Sequence, residues 1–265
     1  MNEQELPQAT RDALAHVPRA ADINASTSLA GVRIGLLPAP SALAGVQALL
    51  AAAARRLTAA GATVIEVEPP AEGDKLGDYE LTVMLTELKA DLNAYLATTP
   101  AAVTTRTLAD VIAFDRAHAE REMPIFGQEL FERAQATAGL QDAAYQKARA
   151  ESLRIAGRDG LDKMFAAHQL QVLIAFTEGP AMPIDPVNGD ALNSSGPGNL
   201  PAIAGYPHLT VPMGRVKGLP IGLSVIGLAW SDAQVLQIGA ACERLLGPIA
   251  PPRYARSTAQ LLAQP

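Results

Sequence analysis

The sequence predicts an α/β protein with a helical middle segment, on three observations. A strand–helix–strand unit opens the chain over residues 32–67, apolar residues recur at helical spacing between 81 and 169, and the last third alternates short apolar runs with turns. The opening unit is the clearest. Val32–Leu37 is an apolar run closed by Pro38-Ala39-Pro40, and Ser41 is placed to cap a helix whose Leu43, Val46, Leu50, Ala53 and Leu57 share one face. Gly61 ends that helix, and Thr63–Val67 forms a second strand before Pro69-Pro70. A strand, a helix and a strand in this order predict parallel pairing through a right-handed crossover.

In the middle segment, Leu81, Leu85, Leu88, Leu92 and Leu96 make one stripe that ends before Pro100. Thr107 and Asp110 have capping-box spacing and open a helix through Val111 and Phe114. Residues 141–169 continue with Tyr145, Ala148, Leu161 and Phe165 facing inward and a break expected near Gly157 and Gly160. Gln171–Phe176 then reads as a strand, followed by a loop over residues 177–201 rich in Gly, Pro, Asn, Asp and Ser. A loop of that length inside a compact domain is uncommon and usually functional or disordered, and its polar content suits the wall of a cleft. Strands follow at Leu209–Val211 and Ile221–Ile226, with a turn between Gly214 and Gly218. The closing helix has Ser231 and Gln234 as a capping box and stops at Gly247-Pro248. Cys242 lies on its apolar stripe with Val235, Ile238 and Leu245, as an inert buried thiol does. Residues 1–28 read as a polar lead-in to a single region over 29–265.

Composition narrows the function classes. The chain has 265 residues, 49% hydrophobic and 18% charged, which suits a globular protein with a substantial core. A net charge of −6, scattered Lys and Arg and only 4% aromatics exclude the basic, stacking surface of a nucleic-acid binder. One cysteine excludes an intrachain disulfide and a multi-cysteine metal site. The acidic start at Asn2-Glu3-Gln4-Glu5 is not a secretory signal, and no run approaches the roughly 20 apolar residues that span a bilayer. The expectation is a soluble, cytoplasmic protein without membrane partner, metal or cofactor.

A catalytic constellation is harder to find. The first βα turn carries neither G-x-G-x-x-G nor a P-loop. The histidines at 16, 118, 168 and 208 are far apart and show no zinc-site spacing. No G-x-S-x-G elbow occurs, and Gly222–Gly227 reads as strand. Ser194 and Ser195 sit in the long loop, but no Lys or His lies near them in sequence to act as a base, so they read as turn formers.

Ordered motifs in the last third change the picture. Ile174–Asp185 resembles the strand and Pro-containing loop of amidase signature enzymes. Asn199–Gly214 is similar to that family's N-x-x-x-x-x-G-x-P-x-x-x-x-P-x-G segment, and Gly218–Gly227 to its GLPxGxxxxG strand. Leu236, Ala240, Ala241 and Glu243 follow on a helix in the same order, and Leu29–Gly35 resembles an LxGxRIG strand found just after the family's catalytic half. Glu178-Gly179-Pro180-Ala181 and Pro186–Asp190 lean towards peptide amidases. The resemblance runs from about residue 29 to 250.

It implies a mixed β-sheet flanked by helices and an ancestry of carbon–nitrogen amide hydrolysis, the substrate being a small amide or peptide amide. It also implies that the 177–199 loop is a substrate wall, with Thr177, Asp185 and Asn199 as its substrate-binding groups. The family's Ser–Ser–Lys set lies in a GGSSGGSxA region and an upstream Lys strand. Nothing in this chain matches either, so no catalytic residue carries over. Ser194-Ser195 follows Arg33-Ile34-Gly35, the wrong chain order for the catalytic pair. Two readings follow: an amidase-family chain that is inactive alone, or a non-catalytic partner that completes a split enzyme with a separate N-terminal amidase half. Hydrolysis through Ser195 or Ser224 is a third, disfavoured by the missing base. Removing half of such a sheet is expected to bare a long edge and apolar faces.

Overall fold

The computed structural model describes residues 16–17, 23, 28–185, 187–189, 191 and 196–251. The described residues of 1–70 and 156–265 form one compact unit, and residues 71–155 form another.

The first unit is built on a five-stranded mixed sheet of order β2-β1-β3-β5-β4, where β1 is Arg33–Leu36, β2 Thr63–Glu66, β3 Val172–Phe176, β4 His208–Val216 and β5 Leu219–Ile226. β1 pairs in parallel with both β2 and β3, as the strand–helix–strand order predicts for the first pair. β5 then pairs antiparallel with β3 and with β4. Arg33 and Gln171 extend the junction of β1 and β3: the Arg33 amide donates to Gln171 Oε1 at 3.0 Å, and the Gln171 amide donates to the Arg33 carbonyl at 2.9 Å.

Period-two alternation sorts the sheet into two faces. Ile34, Val172, Ile174, Phe176, Leu223, Val225 and Val211 share one face by register and form one core with helix Ala44–Ala59 and helix Asp232–Leu246. Those helices contribute Val46, Leu50, Ala53 and Leu57, and Val235, Ile238, Ala241 and Cys242. Arg56 ties them together by donating to the carbonyls of Leu245 and Leu246, where a cation also suits the negative end of the helix dipole. Burial pushes the Cys242 thiol up to about 11, in keeping with an inert role. On the other face, Gly35, Leu173 and Ile226 lie in register, and a Cβ on Gly35 would stand 2.5 Å from Leu170 Cδ1. β3 is buried at every residue, as a strand covered on both faces must be.

Three local expectations are corrected. Ser41 does not cap the first helix; Leu43 occupies the cap position without a side-chain bond. Ser231 is the cap residue of the last helix, but its hydroxyl donates to the Leu228 carbonyl at 2.7 Å instead of closing a capping box. The turn expected from Gly214 to Gly218 is shorter, because β4 runs to Val216 and absorbs an irregularity between Pro212 and Gly214. Lys217 and Gly218, at φ 50° and 81°, make the two-residue connection to β5, which needs the left-handed region at both positions.

The second unit is helical. Helix Leu76–Ala97 carries the leucine stripe, and its Leu85, Leu88 and Leu92 pack with Phe131 on buried Leu108, Ile112 and Ala134. The capping box at helix Leu108–Ala117 is present, with Asp110 N to Thr107 Oγ1 at 3.1 Å and Thr107 N to Asp110 Oδ2 at 2.9 Å. Lys89 Nζ donates to the Gln135 and Thr137 carbonyls and so closes helix Glu129–Gln135. Residues 141–169 leave α-helical geometry around Gly157 and Gly160, where a break is expected. Helix Ala143–Leu153 passes into a π-helical stretch, Arg154–Asp162, and then into helix Lys163–His168. Among the described residues, no helix is long and apolar enough to cross a membrane.

Ile174 is fully buried at the centre of β3. Ile174→Ala is expected to cost about 2–5 kcal/mol by combined transfer and cavity terms. Urea unfolding of the full chain measures it, and a loss below about 1 kcal/mol contradicts β3 as the central strand.

Candidate functional site

A polar corner interrupts the apolar face opposite the two long helices. The register places Ala175, Ser224 and Thr210 side by side across β3, β5 and β4. Thr177 lies just past β3, its amide donating to the Gly222 carbonyl at 2.9 Å. Gly222 leaves the space that brings the two threonines together: a Cβ there would be 2.6 Å from Thr210 Cγ2 and 2.8 Å from Thr177 Oγ1. Their hydroxyls meet at 3.2 Å. Ser224 Oγ donates to Thr177 Oγ1 at 3.0 Å, and His208 Nε2 lies 2.7 Å from the same serine oxygen. His208 sits opposite Ile226, so it reaches Ser224 as a diagonal cross-strand neighbour.

Burial grades sharply along this chain of groups. Ser224 is 1% exposed, Thr177 is half-buried, and Thr210 and His208 are exposed. A buried hydroxyl left unpaired costs about 1–3 kcal/mol, and Ser224 avoids this with two partners. Desolvation of the ring lowers the His208 pKa, which favours the neutral imidazole.

The loop after β3 returns to this corner at Gly196. A Cβ on Gly196 would stand 2.3 Å from the carbonyl oxygens of both Phe176 and Thr177, a backbone approach only glycine permits. The chain then enters helix Asn199–Ala204, a short element where the sequence predicts continuing loop, and Gly205 closes it at φ 72°. Tyr206 fixes the exit, donating from its hydroxyl to Asp162 Oδ1 at 2.7 Å. Burial first, then that carboxylate, pushes the Tyr206 phenol up to about 12.

The three residues expected to contact substrate are placed differently. Thr177 is part of the polar corner. Asn199 is half-buried at the start of its helix, beside Gly198, whose Cβ position lies 3.9 Å from His208 Cε1. Asp185 is engaged by its own turn: Oδ1 accepts from the Val187 and Asn188 amides at 2.9 and 3.0 Å, and Oδ2 from Asn188 Nδ2 at 2.9 Å. Ser194 and Ser195 lie outside the described residues, as do residues 1–15 and most of the remaining lead-in.

The sequence does not single out His208 or Thr210 as site residues, and it offers Ser224 only as a disfavoured nucleophile. A signal is present as alternation, Thr210 two residues after His208 and Ser224 two after Gly222, but only strand pairing joins the two pairs. The other histidines stand elsewhere. His16 stacks on Trp230, His118 stacks on Phe114, and His168 uses its backbone carbonyl to accept from Arg33. Among the described residues, no group of three or more His, Cys, Asp or Glu is placed to hold a metal ion. The helical unit has an open groove lined by Glu87, Asp91, Tyr145 and Arg149, where Tyr145 donates to Glu87 Oε1 at 2.7 Å.

The contact between Ser224 and His208 has the composition of a nucleophile–base pair but the opposite polarity. A serine hydroxyl has one proton. That of Ser224 is directed to Thr177, so the contact with His208 requires the tautomer that carries its proton on Nε2. A serine whose proton points away from its base, and which is buried, is not activated for attack.

Comparison with known proteins places this architecture. The Amidase family model matches residues 4–236. The chain belongs to the amidase family. The crystal structure of native peptide amidase from Stenotrophomonas maltophilia is 41% identical with a TM-score of 0.77, over 90% of this chain and 49% of that one. A peptide amidase complex with the competitive inhibitor chymostatin is 42% identical with a TM-score of 0.80, at the same coverage. A "Probable amidase" of Arabidopsis thaliana is 28% identical over 94% of this chain and 45% of its own length. The amidase relatives thus extend over nearly the whole of this chain. In turn, the chain spans about half the length of the curated relatives it matches.

The bonds to Asp185 hold its carboxyl below the usual carboxylate value, the Asn188 side chain contributing most and the Asn188 and Val187 amides next. A depressed folded value means that the turn is held above the unfolded pKa and released as pH falls through the folded one. The amide resonances of Val187 and Asn188 are expected to titrate together with a midpoint below about 3.9. An ordinary midpoint, or separate ones, contradicts the turn.

Proposed function

We propose that these residues form the substrate-wall half of an amide-hydrolysing site and are catalytically silent by themselves. The polarity of Ser224 and His208 carries this reading. Among the described residues, the serine in contact with a base is a buried donor; on this reading the nucleophile and its base are supplied from elsewhere. An activated serine and its oxyanion donors must be preset to within about half an ångström, which a wall alone cannot do.

Peptide amides are the proposed substrate class, supported by the 41–42% identity to peptide amidase structures. Thr177, Asp185 and Asn199 serve that site differently. Thr177 offers a hydroxyl, Asn199 an amide at the loop's return, and Asp185 holds the loop in shape through its turn.

A second reading, that this chain docks with a separate nucleophile-bearing half, draws support from β4. It is nine residues long and ends the sheet, and among the described residues no strand pairs with its other side. An edge of that length without a pairing strand invites one.

The purified chain is expected to hydrolyse no C-terminal peptide amide above the uncatalysed background, by ammonia release. Turnover that disappears in Ser195→Ala or Ser224→Ala contradicts the proposal.

A further inference from the structure

We infer that Ser224 and His208 are positioning residues that act through Thr177 to leave one threonine hydroxyl free to donate to the carbonyl oxygen of a bound amide. This role rests on the substrate-wall reading and deepens it.

Protons can be counted along the hydrogen-bonded chain. His208 Nε2, Ser224 Oγ, Thr177 Oγ1 and Thr210 Oγ1 make three contacts, at 2.7, 3.0 and 3.2 Å. Three hydroxyl protons are fixed by chemistry, and the fourth depends on which ring nitrogen is protonated. With Nε2 protonated, four protons serve three contacts and one is left over. Ser224 is saturated and buried, so the spare proton belongs to Thr177 or Thr210, the open end of the chain. With Nε2 bare, every bond reverses, three protons serve three contacts, and the open end offers only lone pairs.

The hydroxyl of Ser224 donates to Thr177, which selects the first arrangement. The buried serine thus transmits the tautomer of an exposed histidine to a threonine pair that meets in the gap Gly222 leaves. A donor at that end fits an amide carbonyl, an acceptor, and not the amide NH₂.

The test uses the full chain labelled with nitrogen-15 and an N-acetylated dipeptide amide as the probe. At a pH of about 7.5, well above the ordinary histidine value, the imidazole spectrum is expected to show His208 protonated at Nε2, before and after the probe is added. The probe is expected to shift the Thr177 and Thr210 amide resonances. Ser224→Ala, which no longer holds the Thr177 oxygen in place, and the double variant Thr177→Val with Thr210→Val, which removes both donors, are expected to weaken its binding about threefold to tenfold, the worth of one modest hydrogen bond. Thr177→Ser, which keeps the hydroxyl, and His208→Gln, whose amide replaces the Nε2–H, are expected to bind within about twofold of the parent. These conservative replacements separate a donor role from mere support of the fold.

A ring with Nε2 bare overturns the inference without any variant. So does wild-type affinity in Ser224→Ala while Thr177 and Thr210 still respond to the probe, an outcome that leaves the substrate wall standing. A probe that moves no resonance between residues 177 and 210 overturns both.

Discussion

β3 pairs in parallel with β1 and antiparallel with β5, and it is buried along its whole length. Through it a parallel strand–helix–strand unit from the start of the chain and an antiparallel hairpin from its end become one sheet. Its two faces divide the labour. Val172, Ile174 and Phe176 enter the core under the two long helices, while Leu173 and Ala175 lead along the other face to Thr177. The last step of this alternation is where apolar burial gives way to hydrogen bonding. The site therefore depends on register: a slip of one residue in β3 or β5 turns Ser224 and Thr177 into the hydrophobic core.

Two glycines set the precision of the corner by having no side chain. Gly222 lets the threonines approach across β5, and Gly196 lets the returning loop press on the backbone that carries Thr177. A polar cluster whose buried serine is saturated while a threonine hydroxyl stays open is suited to orienting a ligand. It is poorly suited to nucleophilic attack, which needs a proton held between serine and base and an oxygen open to substrate. Kinship and local polarity thus describe different things. The chain belongs to the amidase family, and the hydrogen bonding of its polar corner is what supports the proposed role as a wall.

Much of the fold was legible in the sequence because periodicity reports burial directly. The stripe Val46, Leu50, Ala53, Leu57 and the run Val172–Phe176 fall where burial requires them. The capping box at Thr107 was readable because both its bonds are local. Ser41 and Ser231 misled for the same reason: a capping residue type is only a local preference, and at Ser231 the hydroxyl found a closer acceptor in the Leu228 carbonyl. The short helix at Asn199 was hidden by its Gly, Pro and Asn content, and six residues are too few for a periodic signal. The polar corner was hidden more deeply. Its residues come from two strands and the end of a third, and a search for a base near each serine along the chain cannot see a histidine 16 positions away that strand pairing brings to 2.7 Å.

Reactivity of the serines towards a fluorophosphonate decides most directly between a wall and a catalytic serine. That reagent forms a covalent bond only where a base has taken the serine proton. Intact-mass and peptide analysis of the full chain after exposure is predicted to find no adduct on Ser224 or on any other serine. A stoichiometric adduct on Ser224 contradicts the assigned polarity, and one on Ser195 contradicts the wider claim that the nucleophile is supplied from outside these residues.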